Sequence, residues 1–181
     1  MASPQTGFDL VNSPSGPFER LSSQAFTSGD LAVMKRAIEL AREGERFGEV
    51  PVGAVITQGS RIIAEAFNLR ETLSDPTAHA ERLAISMAGK SLGTWRLDGC
   101  KLYVTLEPCA MCAGSIVLAR LSTVIYGVAD PKAGACDSLF RLTNDRRLNH
   151  QSNVQSGLLA SECAELLSDF FRTLRTRTEF T

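Results

Sequence analysis

Two short segments concentrate residues able to do metal and proton chemistry: His79-Ala80-Glu81 and Pro108-Cys109-Ala110-Met111-Cys112. Cysteines three apart share one face of a helix turn, so the sulfurs of Cys109 and Cys112 can approach a single ion. At a helix start they also sit near the positive end of the helix dipole, which favours the thiolate form that binds metal. His79 adds a nitrogen from a second helix start. Three protein ligands of nitrogen and sulfur type, with a fourth position left to water, is the arrangement of a catalytic zinc site. Glu81 is not expected to be a ligand. Residues two apart on a regular helix face different directions, so it serves the same ion as His79 only if that ion lies off the helix tip. Zinc lowers the pKa of a bound water to about 7, and a carboxylate placed there can take the proton and deliver it to a substrate.

A Cys-x-x-Cys pair alone reads as structural zinc or a redox dithiol. A structural site needs a fourth protein ligand, and His150, Cys100, Cys136, Cys163 or a carboxylate are available, but none belongs to a second paired motif. Cys100, Cys136 and Cys163 read instead as small buried apolar groups. Trp95, between a helix and a strand, reads as a packing anchor.

The elements that must position the two motifs follow from the hydrophobic pattern. After Asp30, read as an N-cap, Leu31, Met34, Ile38 and Leu40-Ala41 keep helical spacing until about Gly44–Gly48. Residues 51–56 form a buried strand, Gln58-Gly59-Ser60 a turn, and residues 61–67 a returning strand. A loop over 68–75 leads to a helix over about 77–88, and 101–106 is a third strand. Pro108 stands where a helix can begin at its first position. Residues 122–128 give a fourth strand, 130–150 a polar loop, 153–156 a weak fifth strand, and 161 to about 175 an amphipathic closing helix. This alternation is that of a sheet covered on both faces, an α/β sandwich.

Composition sets the class. The chain has 181 residues and a formal charge of −1, which fits one domain and argues against a strongly basic nucleic-acid binder, though not against a local basic face. Residues 1–28, rich in Ser, Pro and Gly, read as an extension with little regular structure, and residues 29–181 as the folded domain. Five cysteines, an odd number, with no secretory layout at the N-terminus and no apolar run long enough for a bilayer, point to a cytoplasmic protein without a membrane segment.

The pattern His-x-Glu followed by Pro-Cys-x-x-Cys is that of zinc-dependent nucleobase deaminases, tRNA adenosine deaminases among them. The chain resembles the bacterial tRNA-specific adenosine deaminases, of the cytidine deaminase superfamily, over about residues 30–175. Besides the two motifs, Glu49-Val50-Pro51-Val52-Gly53-Ala54, Asn68, Asp75-Pro76-Thr77-Ala78, Asp130-Pro131-Lys132-Ala133-Gly134, Asn149-His150 and Leu167-Ser168-Asp169-Phe170-Phe171-Arg172 carry the likeness. The resemblance implies a three-layer α/β/α sandwich with a mixed five-stranded sheet and a homodimer. It implies conversion of adenosine to inosine at the wobble position of an arginine tRNA anticodon. His79, Cys109 and Cys112 would bind one Zn2+ per subunit, with Glu81 as proton shuttle. Asn68 would hydrogen-bond the flipped nucleoside, Val50 and Pro51 would shape the pocket wall, and Asp130, Lys132, Asn149, Phe171 and Arg172 would line the RNA side.

The chain departs from the family pattern at Ala135-Cys136-Asp137-Ser138, at the polar Gln151-Ser152-Asn153-Val154, and at Leu174, where some relatives carry an arginine. Late basic residues (Arg141, Arg146, Arg147, Arg172, Arg175 and Arg177) are either phosphate contacts or a solvated face. His150 is either a loop-fixing hydrogen-bonder or an RNA contact. A deaminase of a free base such as guanine or cytosine, or a noncatalytic zinc-stabilised RNA-binding module, remains compatible with the metal motif.

Overall fold

The computed structural model describes residues 25–178. The reading of residues 1–28 as an irregular extension therefore lies, up to residue 24, outside the described residues. Helix α1 spans Ser28–Arg46, strands β1 and β2 span Gly53–Gln58 and Arg61–Phe67, and a single turn α2 covers Arg70–Leu73. Helix α3 (Ala80–Leu92), β3 (Cys100–Leu106), α4 (Ala110–Ala119) and β4 (Thr123–Val128) follow. A 3-10 turn (Leu142–Asn144), β5 (Asn153–Ser156) and α5 (Ala160–Thr178) complete the domain.

The five strands form one sheet in the order β2-β1-β3-β4-β5. β1 runs antiparallel to β2 and β3, while β3, β4 and β5 are mutually parallel, so the sheet is mixed as expected. Side-chain alternation along the central strands divides the core in two. Ala54, Ile56, Leu102, Val104, Val124 and Tyr126 face α3 and α4. Val55, Tyr103 and Ile125, from the intervening positions, face α1 and α5. Among the described residues no helix is long and apolar enough to cross a membrane.

Three sequence expectations shift. The N-cap of α1 is Thr27 rather than Asp30. Thr27 Oγ1 accepts the Asp30 N–H at 3.1 Å, and the Asp30 carboxylate accepts the Thr27 N–H at 2.9 Å, a reciprocal capping box. Asp30 is thereby turned inward, where its Oδ1 also accepts the Tyr103 hydroxyl at 2.6 Å. Pro108 precedes α4 instead of opening it, because Cys109 takes the N-cap in an extended conformation and Pro108 spends its carbonyl on the Ala135 N–H at 2.8 Å. Trp95 is 62% exposed, with Arg96 stacked over its ring, and anchors no core.

One glycine sets the helix-to-sheet distance: a Cβ on Gly53 would stand 2.0 Å from the Ala37 carbonyl oxygen, so α1 lies backbone against backbone on β1.

Candidate metal and substrate site

His79 and Cys109 are the N-caps of α3 and α4, both with extended backbone. That position throws each side chain off the helix tip, the arrangement that lets residues before and inside a first turn converge on one point. Cys112 lies one turn into α4. The His79 Nδ1 is 3.7 Å from both the Cys109 and the Cys112 Sγ. For a tetrahedral ion with Zn–N and Zn–S bonds of about 2.0 and 2.3 Å, an N···S edge is about 3.5 Å, so the donor set fits zinc in type and spacing. Among the described residues these three are the only group of His, Cys, Asp or Glu with ligand atoms close enough to share an ion. Cys100, Cys136 and Cys163 are buried and unpaired, apart from it.

The charge at the site is uneven. A hydrogen bond from the Cys112 thiol lowers Cys109 to about 3, with help from His79 and against the opposing effect of burial. Cys112 is pushed up in return, by Cys109 and by burial. The Cys109 hydrogen bond raises His79.

Glu81, in the first turn of α3, is 3% exposed, and its Oε2 is buried without a hydrogen-bond partner. Burial pushes its carboxyl upward. A buried carboxyl with a raised pKa and an unused oxygen is the state of a group that exchanges protons.

Both motifs open onto a cleft of about 450 Å3. Val50, Asn68, Asp130, Lys132 and Phe171 line it, together with His79, Glu81 and Cys109. Asn68 is buried, and its Oδ1 accepts the Ala80 N–H at 3.0 Å, capping α3 and leaving the side-chain NH2 unused by that bond. Asp130 turns its loop by accepting the Lys132 and Ala133 N–H groups at 2.9 and 3.2 Å.

Three expected residues stand elsewhere. Pro51 is buried outside the lining, where Val50 and Val52 supply the wall, since the chain has already straightened toward β1 and alternate residues turn opposite ways. Asn149 is exposed on the loop before β5, its carbonyl held by the Arg120 guanidinium. Arg172 is exposed and paired with Asp169 at 2.7 Å. Arg147 is likewise paired with Asp145. His150 Nε2 lies 2.7 Å from the Leu121 carbonyl oxygen, a loop-fixing contact.

Sequence reasoning missed Arg70, Leu106 and Leu167 in the lining. Leu167 was legible as the residue one helical turn before Phe171 on the same face of α5. It also missed two buried glutamates, Glu49 and Glu107, although Glu49 stands in a segment that carries the family resemblance and Glu107 directly precedes Pro108. Burial pushes both carboxyls up, but converging hydrogen bonds outweigh it and hold both below the usual range.

The chain is similar to known deaminases in sequence and in fold. Residues 28–175 match the family profile of the MafB19-like deaminases. The chain is 53% identical over 148 residues to a tRNA-specific adenosine deaminase of Bacillus subtilis (strain 168), covering 82% of this chain and 92% of that one. A solved structure from work on A-to-I editing by tRNA:A34 deaminases at the wobble position superposes with a TM-score of 0.72 and 46% identity, covering 74% of this chain and 97% of that one. A guanine deaminase structure from Bacillus subtilis gives a TM-score of 0.53 at 34% identity, covering 80% and 92%.

Proposed function

The chain belongs to the deaminase family of the tRNA-specific adenosine deaminases, and from that premise we propose that it hydrolyses adenosine to inosine at the wobble position of a tRNA anticodon, an arginine tRNA foremost. The observation that carries the reading is the His79-Cys109-Cys112 cluster at one end of a cleft that also contains buried Glu81.

His79, Cys109 and Cys112 would hold one zinc ion per subunit. The chemistry zinc supplies is polarisation of a water so that it attacks at neutral pH. Glu81 takes a proton from the attacking water and passes it to the ring nitrogen next to the amine-bearing carbon. It then takes the remaining proton from the hydroxyl added to that carbon and gives it to the departing amine, so that adenosine and water become inosine and ammonia. Asn68, fixed by the Ala80 N–H, donates its amide hydrogens to the base, and Val50 and Val52 exclude water from its edges. An anticodon loop suits such a cleft because its bases are already unpaired and are turned outward at small cost. Asp130, Lys132 and Phe171 at the cleft, with Asn149 and Arg172 further out, form the RNA side.

We further propose a homodimer of cytoplasmic domains, each formed by residues 29–181. Exposed Leu118 and Trp95, 70% and 62% accessible, border a shallow apolar cleft between α3 and α4 and support a covered face there. Five unpaired cysteines suit a reducing compartment.

The test is inosine formation by zinc-loaded protein on an anticodon stem-loop with adenosine at the wobble position, beside free guanine, cytosine and adenosine. Inosine in the stem-loop alone is expected. Turnover of guanine alone would replace this reading by the second one, motivated by the 34% identical guanine deaminase.

A further inference from the structure

Two buried carboxylates that the reaction does not use flank the cleft. Glu107, just beyond β3, is 2% exposed. Its Oε1 accepts the N–H groups of Cys136, Asp137 and Ser138 at 3.1, 2.7 and 2.9 Å, and its Oε2 accepts the Asp130 N–H at 3.0 Å and the Ser138 hydroxyl. Glu49, 1% exposed, does the same on the other side: its Oε1 accepts the Thr72 N–H at 2.8 Å and its Oε2 the Glu71 N–H at 3.2 Å.

The two segments so held both border the cleft, and each brings one basic side chain to its lining, Lys132 from the loop after β4 and Arg70 from α2. Neither segment belongs to a strand of the sheet; α2 is a single turn, and the longer loop is tied to the start of α4 by an isolated bridge, Cys109 to Gly134, and by the Ala135 N–H to the Pro108 carbonyl. The longer loop is wrapped so closely on its carboxylate that a Cβ on Gly134 would stand 2.3 Å from Glu107 Oε2 and 2.6 Å from the Asp130 carbonyl oxygen.

We propose that Glu107 and Glu49 are positioning residues that clamp the two walls of the cleft mouth and so fix Lys132 and Arg70 where the phosphates of the bound RNA pass. This rests on the tRNA reading above. An ionised carboxylate only accepts, with room for about four hydrogen bonds, and is the one side chain that can gather several converging N–H groups without a competing donor. A glutamine of the same shape would turn an NH2 toward at least one of those N–H groups, leaving two donors face to face and a buried group unsatisfied. The wall would loosen while the metal ligands and Glu81, carried on α3 and α4, keep their places. Phosphate contacts set register and binding strength and take no part in proton transfer. Loosening the walls therefore weakens RNA binding and spares the chemical step.

The experiment compares zinc-loaded parent, Glu107→Gln and Glu49→Gln in single-turnover inosine formation on an anticodon stem-loop, with enzyme concentration varied. Amide hydrogen exchange is measured on the same proteins without RNA. The half-saturating enzyme concentration is expected to rise about tenfold, with the saturating rate kept within about threefold and zinc content unchanged. Exchange should quicken over residues 130–138 in Glu107→Gln alone and over 70–73 in Glu49→Gln alone. Combining Glu107→Gln with Lys132→Ala should cost less than the two single effects summed, because one acts through the other. Ser138→Ala removes only the hydroxyl donor and reads the same loop, with a smaller shift in the same direction, if Glu107→Gln fails to fold. An unchanged half-saturation, a saturating rate that falls as far as half-saturation rises, or loss of zinc would each overturn the proposal. Failure of the parent protein to edit the stem-loop would instead overturn the tRNA reading, and the exchange measurement would still decide whether the carboxylates clamp the loops.

Discussion

Glutamine in place of Glu81 keeps the shape of the side chain and removes only its ability to take up and release a proton. The magnitude follows from its surroundings. General acid–base catalysis by one positioned group contributes roughly 10²–10⁴-fold, or about 3–5 kcal/mol at 1.36 kcal/mol per tenfold. The structure favours the upper end, because the other carboxylates lining the cleft are engaged elsewhere: Glu107 has both oxygens occupied by the loop over 130–138, and Asp130 turns its own loop through the Lys132 and Ala133 N–H groups. A loss near 10⁴-fold is expected in single-turnover inosine formation on the anticodon stem-loop. Zinc content, measured by elemental analysis, and stem-loop binding should both be retained. The metal-free variant should melt no lower than the parent, since an ionisable group 3% exposed and lacking a partner for Oε2 is replaced by a neutral one. A Glu81→Gln protein with full zinc and a rate within tenfold of the parent would refute the proton-shuttle role.

Three further outcomes are expected. Asp30 is pushed up by burial, but hydrogen bonds from the Tyr103 hydroxyl and from Thr27 outweigh this and hold it at about 2. With an unfolded value near 4, its contribution of about 2 kcal/mol is full above about pH 4 and disappears as pH falls toward 2. Asp30→Asn should therefore lower stability in denaturant titrations at pH 7, with the difference vanishing near pH 2; an equal difference at both pH values would count against it. Gly53→Ala should destabilise by about 3 kcal/mol or more, because the added carbon meets the backbone oxygen of Ala37 at 2.0 Å and α1 must lift from the sheet; a melting temperature near the parent's would contradict the packing. Leu118→Glu should shift the protein from dimer to monomer in light scattering while leaving each domain folded, since the side chain is 70% exposed within one chain; a dimer that survives the charge would place the interface elsewhere.

The cluster of His79, Cys109 and Cys112, able to hold an ion, and the neighbouring Glu81 were legible because such chemistry needs fixed residue types at fixed spacings. β2 and β5 were legible to the residue for a similar reason, being bounded by turn and polar signals on both sides. What the sequence hid was long-range. Nothing local says that Asp30 will be claimed by Tyr103, so its capping character pointed to the wrong end of the box. Glutamates are seldom fully buried, so Glu49 and Glu107 carried no outward sign of their place in the core. Trp95 shows the converse: a large apolar residue between two elements invites burial, and only the three-dimensional surface reveals that it stays outside. Pocket lining by Arg70 depends on where the single turn α2 comes to rest against the site, which has no footprint along the chain.

The sheet order has a kinetic consequence. His79 lies in the half of the chain built on the β1–β2 hairpin, while Cys109 and Cys112 follow β3, and the halves join where β1 pairs with β3, Ala54 opposite Val104. That pairing closes a loop of about fifty residues, the kind of non-local contact that slows folding. A chain caught before closure offers an ion only the two thiols, whose grip does nothing to bring the imidazole nearer. Metal added during refolding should leave the main folding phase unchanged and retard unfolding instead. The ion would act as a lock on a finished domain rather than as a seed around which the domain grows.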